Sequence, residues 1–189
     1  FRVLVLDGGS EGPHSTAVLD AMPGDPRFLY ARVPPMPLGE KYNAGCHMAP
    51  DGALLAFSGD DDWNHPDRLA ITVSSMEAAK VEVAGTMTML GYRERDGVAF
   101  HYRHPHVVEL MEGADDAIES DFSTPYLVHG TMVVAKHYWE RCQFPSLQRA
   151  SDSLWIRELL TLSTPKGTRL EHDAAISEFS TRVTLMDGE

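Results

Sequence analysis

Three consecutive carboxylates, at 60–62, are the residues of this chain whose type and spacing most favour chemistry. They follow the apolar run 54–57, which is typical of a short buried strand, and precede a helix-like pattern that opens after Pro66. In a parallel α/β sheet, ligands bind at the carboxyl ends of the strands. Adjacent carboxylates repel one another unless a cation joins them, and oxygen ligands alone suit Mg²⁺ or Mn²⁺. The pattern predicts a divalent-cation site; the alternative is a solvated acidic turn at the start of the next helix.

Another carboxylate, Asp152, stands apart from this cluster at the start of a strongly helical pattern. Either Asp152 or its neighbour Ser151 can cap the helix, because both side chains accept hydrogen bonds from free backbone N–H groups. Such a cap does not exclude a second role for the same carboxylate.

The elements that must position these groups can be outlined from the pattern of apolar residues. The first strand spans 1–6 and is of the continuous apolar kind that is buried on both faces of a parallel sheet. It ends at Asp7-Gly8-Gly9, where glycine allows a tight turn and a close approach of the backbone to a ligand. Further strands are predicted at 27–33, 81–90, 98–108 and 126–135, and helices at 39–48, 66–81, 136–142 and from 151 onward.

Composition limits the possible functions. At 189 residues the chain is long enough for one domain with a sizeable core. Its formal net charge of −12 argues against nucleic acid as a partner, because phosphate binding needs a basic face. Cys46 and Cys142 lack the spacing of a metal or redox motif and suit a reducing compartment. No apolar run reaches transmembrane length and the N-terminus lacks the form of a signal peptide, so we predict a cytoplasmic protein without a membrane span.

Four segments, in order along the chain, resemble family 2 glycosyltransferases of the GT-A fold. They are 3–10, which resembles the family's "VVDGGS" strand and turn; 38–45, its "LGxLRNxA" helix start; 54–69, its "WDDDDWYHPxRL" metal-site segment; and 125–153, its "YxxGGTLxYRRxxWExxPFP…GEDT" segment. The resemblance implies a single GT-A-like domain over 1–189. Its α/β fold would be a mostly parallel twisted sheet flanked by helices, with a small antiparallel portion that includes a hairpin at 81–108.

The resemblance also implies a role for each matching residue. Asp60, Asp61 and Asp62 would hold Mg²⁺ or Mn²⁺, with Asp62 as the direct ligand. Asp152 would be the catalytic base. The donor substrate, a nucleotide-diphospho-sugar, would be bound by the following residues: Asp7, Gly9, Asn43, Asp60 and, through a guanidinium fork on the diphosphate, Arg182.

These roles describe a metal-dependent, inverting glycosyltransferase that moves a sugar from a nucleotide-diphospho-sugar to an unknown acceptor hydroxyl. The metal would stabilise charge on the departing diphosphate. An unrelated Mg²⁺-dependent phosphotransfer domain is less favoured, because the chain contains no phosphate-cradling GxxxxGK[ST] loop.

Several positions depart from the family pattern. Gly59 replaces the first acid of the usual "DxDD", Tyr42 replaces an Arg, Ser151 replaces the Glu before the base, and Glu178 falls near the place of a His. Lost ligands would weaken metal binding. The alternative function is therefore a catalytically degenerate GT-A-like module that serves as a binding or structural subunit of a larger assembly.

The chain starts on the segment that resembles the family's second strand, so the domain is N-terminally incomplete relative to the family. In the family, the first strand lies centrally in the sheet. Its absence would leave two unpaired strand edges inside a buried sheet. We expect the slot to be filled by an upstream segment, another chain or a rearranged strand.

Overall fold

The computed structural model describes residues 1–9, 17, 19–86, 88–93, 95, 97–103, 127–167, 175–177 and 182–186. The strands within them are β1 (Val3–Asp7), β2 (Phe28–Arg32), β3 (Leu54–Ala56), β4 (Asp62–Asn64), β5 (Val83–Thr86), β6 (Thr88–Arg93), β7 (Val98–Arg103), β8 (Val133–Ala135), β9 (Ala175–Ser177) and β10 (Arg182–Met186). The helices are α1 (Leu38–Met48), α2 (Arg68–Ala79), α3 (Lys136–Arg141) and α4 (Ser151–Leu159), with a 3₁₀ turn at His129–Thr131. In this described part, no helix has the length and apolar character needed to cross a membrane.

The strands form separate hydrogen-bonded groups. β1 and β2 pair in parallel, and β3, β8, β5 and β9 lie side by side in that order. A third group has the order β4, β10, β6 and β7. Within it, β6 and β7 form an antiparallel ladder, which is the hairpin expected at 81–108.

The architecture is the α/β fold predicted from the sequence, with more antiparallel pairing than expected. Of the seven strand pairings within the described residues, three are parallel and four are antiparallel. The main reason is β8, which lies between β3 and β5 and runs against both. One strand that runs in the reverse direction between two others creates two antiparallel ladders, so β8 alone accounts for two of the four antiparallel pairings.

Two parts of the sheet differ from the strands predicted locally. The stretch 81–90 is divided between β5 and β6, which belong to different groups, and the Thr86 hydroxyl donates to the Thr88 carbonyl at 2.7 Å across the division. β4 was not predicted, because its three residues do not have the apolar pattern of a strand. It forms because its backbone pairs with the distant β10.

The main core lies where α1, α3 and α4 pack against β3 and β8. Its largest buried side chains include Trp139, Trp155 and Tyr138. Phe144 stacks on Trp155 with ring centroids 4.1 Å apart, and the Trp155 indole donates to the Cys142 carbonyl at 2.6 Å. Complete burial of a large apolar side chain stabilises a fold by about 2–3 kcal/mol. This cluster therefore fixes the start of α4 relative to α1.

Helix α1 packs against both β1 and the end of β3. Gly45 faces β1, where an added Cβ would lie 2.9 Å from Cδ1 of Leu6. Tyr42 packs on Phe57, the residue after β3, with ring centroids 5.9 Å apart. Among the described residues, however, β1 pairs with β2 alone and β3 with β8 alone, so one edge of each strand carries no neighbour there.

Candidate active site

The first turns of α1 are the meeting point of three segments that carry predicted site residues. The contacts there include Lys41 with Gly8 after β1, Tyr42 with Phe57 after β3, and Gly39 with Ser151 at the start of α4. Two of the three contacts depend on a glycine, because a Cβ at that position would collide with its neighbour. The carboxyl ends of β1 and β3 and the amino end of α4 thus lie near the same end of α1.

The acidic turn folds back on Gly59. The Gly59 N–H donates to Oδ2 of Asp62 at 3.0 Å. A Cβ added to Gly59 would lie 2.5 Å from Oδ1 of Asp61 and 3.0 Å from Oδ2 of Asp62. The two carboxylates therefore converge on the space that a side chain at position 59 would fill. Asp60 is exposed, whereas Asp62 is half-buried.

A buried arginine braces this turn. The Arg68 guanidinium donates to the Phe57 carbonyl and to Oδ1 of Asn64, both at 2.8 Å. The Asn64 amide in turn donates to the Ser58 hydroxyl at 2.8 Å. Sequence reasoning missed Arg68, although a signal was present: it is a charged residue eight positions before the buried Met76, on the face that α2 buries.

The converging carboxylates fit a divalent cation that is shared with a phosphate ligand. Asp61 and Asp62 offer oxygen ligands, which Mg²⁺ and Mn²⁺ prefer. No group of three or more His, Cys, Asp or Glu side chains suited to a metal occurs in the part of the chain that the structure describes. Mg²⁺ commonly binds through one or two carboxylates plus substrate phosphates, so a pair is sufficient for that mode. The arrangement fits a bridging ion and not a closed protein cage.

Asp7 is held at the end of β1. It is 6% exposed, and its carboxylate accepts hydrogen bonds from the Tyr30 hydroxyl at 2.6 Å and the Gly9 N–H at 3.1 Å. The bond to Asp7 raises the pKa of Tyr30, since losing the phenol proton would place two negative charges together. Gly9 has φ of +99°, a conformation that other residues rarely adopt. The shape of this turn is therefore specified by Asp7 and Gly9 together.

Asn43 joins α1 to the segment after α3. Its Oδ1 accepts bonds from the Trp139 indole and the Phe144 N–H, each at 3.0 Å, and its Nδ2 donates to the Phe144 carbonyl at 2.9 Å. These bonds give Asn43 a supporting role in the scaffold of the site. Its predicted direct contact with a nucleotide has no support from them.

Asp152 is the second residue of α4 and is half-buried. The expectation that Ser151 or Asp152 caps this helix is wrong: the cap position is Ala150, with φ of 58° and no side-chain cap bond. The core decides this, because Ser151 is fully buried against α1 and begins the helix itself. One turn later, the Trp155 ring lies 5.5 Å from that of Phe57, which ties this helix to the acidic turn.

Arg182 begins β10, and its backbone is in register with Asn64 of β4. In the same ladder, Thr184 is in register with Asp62. The tertiary fold thus brings the start of β10 beside the exit of the acidic turn, across more than a hundred residues of chain. Glu178 lies outside the described residues.

No family model matches the chain, and no curated protein matches it. Solved structures do match. The structure of S. aureus TarS 1–349 in complex with UDP-GlcNAc is 14% identical, with 100% of this chain and 51% of that chain covered and a TM-score of 0.66. A second structure of S. aureus TarS 1–349 is 13% identical, with 98% of this chain and 51% of that chain covered and a TM-score of 0.64. The complex of TarS 1–349 with UDP is 14% identical, with coverages of 98% and 51% and a TM-score of 0.62.

The likeness concerns the fold: this chain has the mixed α/β architecture of the TarS glycosyltransferase fold. The chain spans about half the length of those TarS 1–349 chains.

Proposed function

We propose that this chain is a metal-dependent, inverting glycosyltransferase domain that takes a sugar from a nucleotide-diphospho-sugar and gives it to an acceptor hydroxyl. The observation that carries the proposal is the meeting of three segments at the first turns of α1. Each segment holds carboxylates of a different expected role: Asp7 after β1, Asp61 and Asp62 after β3, and Asp152 in α4.

The fold neighbours support a uridine nucleotide as the first donor to test, since the TarS structures include complexes with UDP and UDP-GlcNAc. In our proposal the turn formed by Asp7 and Gly9 contacts the base and ribose. Asp61 and Asp62, with Asp60 beside them, would hold Mg²⁺ or Mn²⁺. Arg182, whose backbone opens β10 beside β4, would supply a bidentate cation to the donor's diphosphate.

The chemical step in this proposal is a single displacement. The acceptor oxygen forms a bond to the anomeric carbon while the bond from that carbon to the diphosphate oxygen breaks, so the configuration inverts. Asp152 takes the proton that the acceptor hydroxyl loses. The nucleoside diphosphate leaves with the electron pair of the broken bond. The carboxylates of the acidic turn would hold the cation, whose charge would stabilise that leaving group.

Calorimetry with UDP, GDP and dTDP, with and without Mn²⁺, tests the proposal. We expect the wild-type chain to bind one of them in the presence of Mn²⁺, and Asp62→Ala to bind it at least about 10-fold more weakly, because one charge-assisted metal contact is lost. Gly24→Ala is a matched control, since a Cβ there meets nothing within 4 Å.

Absence of binding by the wild-type chain, or binding that Asp62→Ala leaves unchanged, would contradict the enzyme proposal. That result would favour the alternative, in which a catalytically degenerate module acts as a binding or structural subunit.

We also propose that a further extended segment, from another chain or from outside these 189 residues, pairs with the open edge of β1. Val3 donates to the Arg27 carbonyl at 2.8 Å, and Val33 donates to the Asp7 carbonyl at 2.9 Å. In a parallel ladder, alternate residues of a strand bond to the same neighbour, so the N–H groups of Leu4 and Leu6 point to the opposite edge. No strand occupies that edge in the described residues, although α1 already covers its face.

A further inference from the structure

Lys41 places a positive charge at the carboxyl end of β1. The last three heavy atoms of its side chain, Cδ, Cε and Nζ, lie over Gly8 in the space that a Cβ would fill. The side chain is half-buried. In the described parts of the chain, its ammonium makes neither an ion pair nor a hydrogen bond with another residue.

This position is unusual for a lysine in an acidic protein. Lysine side chains are almost never fully buried unless they are paired, and Lys41 is half-buried with no ion pair among the described residues, in a chain with 28 acidic residues against 16 basic ones. The nearby Asp7 carboxylate is bonded to the Tyr30 hydroxyl and to the Gly9 N–H, and it forms no ion pair with Lys41. The ammonium is therefore held in place by packing against the glycine turn and remains available to an anion.

Tyr42, the residue next to Lys41 in α1, is turned toward the aromatic core and not toward the end of β1. Tyr42 packs into the aromatic cluster, with its ring centroid 4.9 Å from that of Phe144 and 4.7 Å from that of His129. It therefore presents no charge to the site. Of these two neighbouring positions on α1, the one that projects over the end of β1 carries the cation.

We propose that Lys41, over the turn that follows β1, binds the diphosphate of the donor nucleotide as a monodentate cation. This inference rests on the proposed function. It assigns the diphosphate two cationic contacts from the protein's own side chains, one from Lys41 beside β1 and one from Arg182 beside β4. Gly8 has a defined part in it, because any larger residue would push the ammonium away from the strand end.

The test compares a nucleoside diphosphate with its parent nucleoside. Binding of the diphosphate that the wild-type chain prefers among UDP, GDP and dTDP is measured by calorimetry in Mn²⁺, and the nucleoside by competition against it. We expect Lys41→Met to weaken diphosphate binding by about 10- to 100-fold, the effect of losing one hydrogen bond to a charged group. Nucleoside binding should change less than twofold, and Lys41→Arg should restore most of the affinity.

Lys166→Met is the matched control, because Lys166 is exposed and lies far along the chain in a turn after α4. A Lys41→Met variant that binds the diphosphate within twofold of wild type overturns the inference and leaves the proposed function intact. Equal weakening of nucleoside and diphosphate also overturns it, since that result indicates a structural role. A wild-type chain that binds no nucleoside diphosphate overturns the proposed function and this inference together.

Discussion

The conformation of the acidic turn depends on the lack of a side chain at Gly59. In the family pattern an acid stands at this position, so the glycine reads as a lost ligand. In the structure, Asp61 and Asp62 turn their carboxylates into the space above Gly59, and the Gly59 N–H fixes Asp62. With glycine in place of the family's acid at position 59, the carboxylates of Asp61 and Asp62 converge there instead, and this pair could still hold a cation.

Gly59→Ala is predicted to separate these carboxylates without unfolding the chain. Its Cβ would collide with both side chains, which must then rotate outward. We expect Mn²⁺-dependent nucleotide binding to fall by about 10-fold, while the free energy of unfolding changes by less than about 1 kcal/mol. Calorimetry and urea unfolding measure the two quantities. Unchanged nucleotide binding in this variant would show that the converging oxygens do not hold the cation.

The two cysteines are predicted to be inert in the folded protein. Burial raises the pKa of Cys46 to about 12, although nearby Lys136 lowers it somewhat. Burial, followed by the charge of Glu158, raises the pKa of Cys142 to about 11. Because the thiolate is the reactive form, we expect neither thiol to react with iodoacetamide at pH 8 unless the chain unfolds in urea. Rapid labelling of the native chain would contradict this prediction.

The same shifts have a consequence for stability. Both thiols have a higher pKa folded than unfolded, so the folded state favours their neutral form. Their contribution to stability is complete below the ordinary thiol pKa near 9 and is lost as the pH rises toward 11 and 12.

Among the elements, α1 is central to the candidate site because it contacts the three segments that carry Asp7, the acidic turn and Asp152. Its own position is fixed by Asn43, whose amide binds the Trp139 indole and both backbone groups of Phe144. Trp139 and Phe144 are 1% and 3% exposed, so their donors would not regain water if these bonds were lost. A buried donor without a partner costs roughly 1–3 kcal/mol.

Asn43→Ala is therefore predicted to lower the free energy of unfolding by roughly 2–5 kcal/mol, since it leaves two donors without an acceptor. Asn43→Asp is the matched control. It keeps an oxygen at the position that accepts both bonds and loses only the donor to the Phe144 carbonyl, so its loss should be less than half as large. Urea unfolding measures the free energy of unfolding of both variants. Equal decreases in the two would argue against the acceptor role of Asn43.

At the scale of the whole molecule, we propose that another extended segment pairs with β1 along the edge opposite β2, where the described residues supply no strand. Native-state amide exchange checks this directly. If the edge is paired, the Leu4 and Leu6 amides should exchange as slowly as the Val5 amide, which faces β2. A chain that sediments as a monomer, with fast exchange at Leu4 and Leu6 and slow exchange at Val5, would rule out pairing at this edge.

The single-domain assignment over 1–189 stays a prediction, and the matched TarS 1–349 chains are about twice as long.

Much of the local structure could be predicted from the sequence, because side-chain periodicity, glycine and proline act on neighbouring residues. β1, β2, α1, α3 and the start of α4 lie within about two residues of their predicted bounds. The acidic turn after β3 was found in the same way. By contrast, β4 and the division between β5 and β6 were missed, because a strand is completed by its partner and the partners lie far away in sequence.

The sequence by itself determined the residue types available for chemistry, most of the local strands and helices, and the resemblance in fold. Only the tertiary structure decided which of those residues lie near one another. In that structure, Asn43 bonds to the backbone of Phe144, the Arg68 guanidinium bonds to the Phe57 carbonyl before the acidic turn, and the Lys41 side chain packs over Gly8. The physical reason is that these outcomes depend on hydrogen bonds and packing between segments separated by tens of residues, and no local pattern encodes which distant partner a side chain will meet.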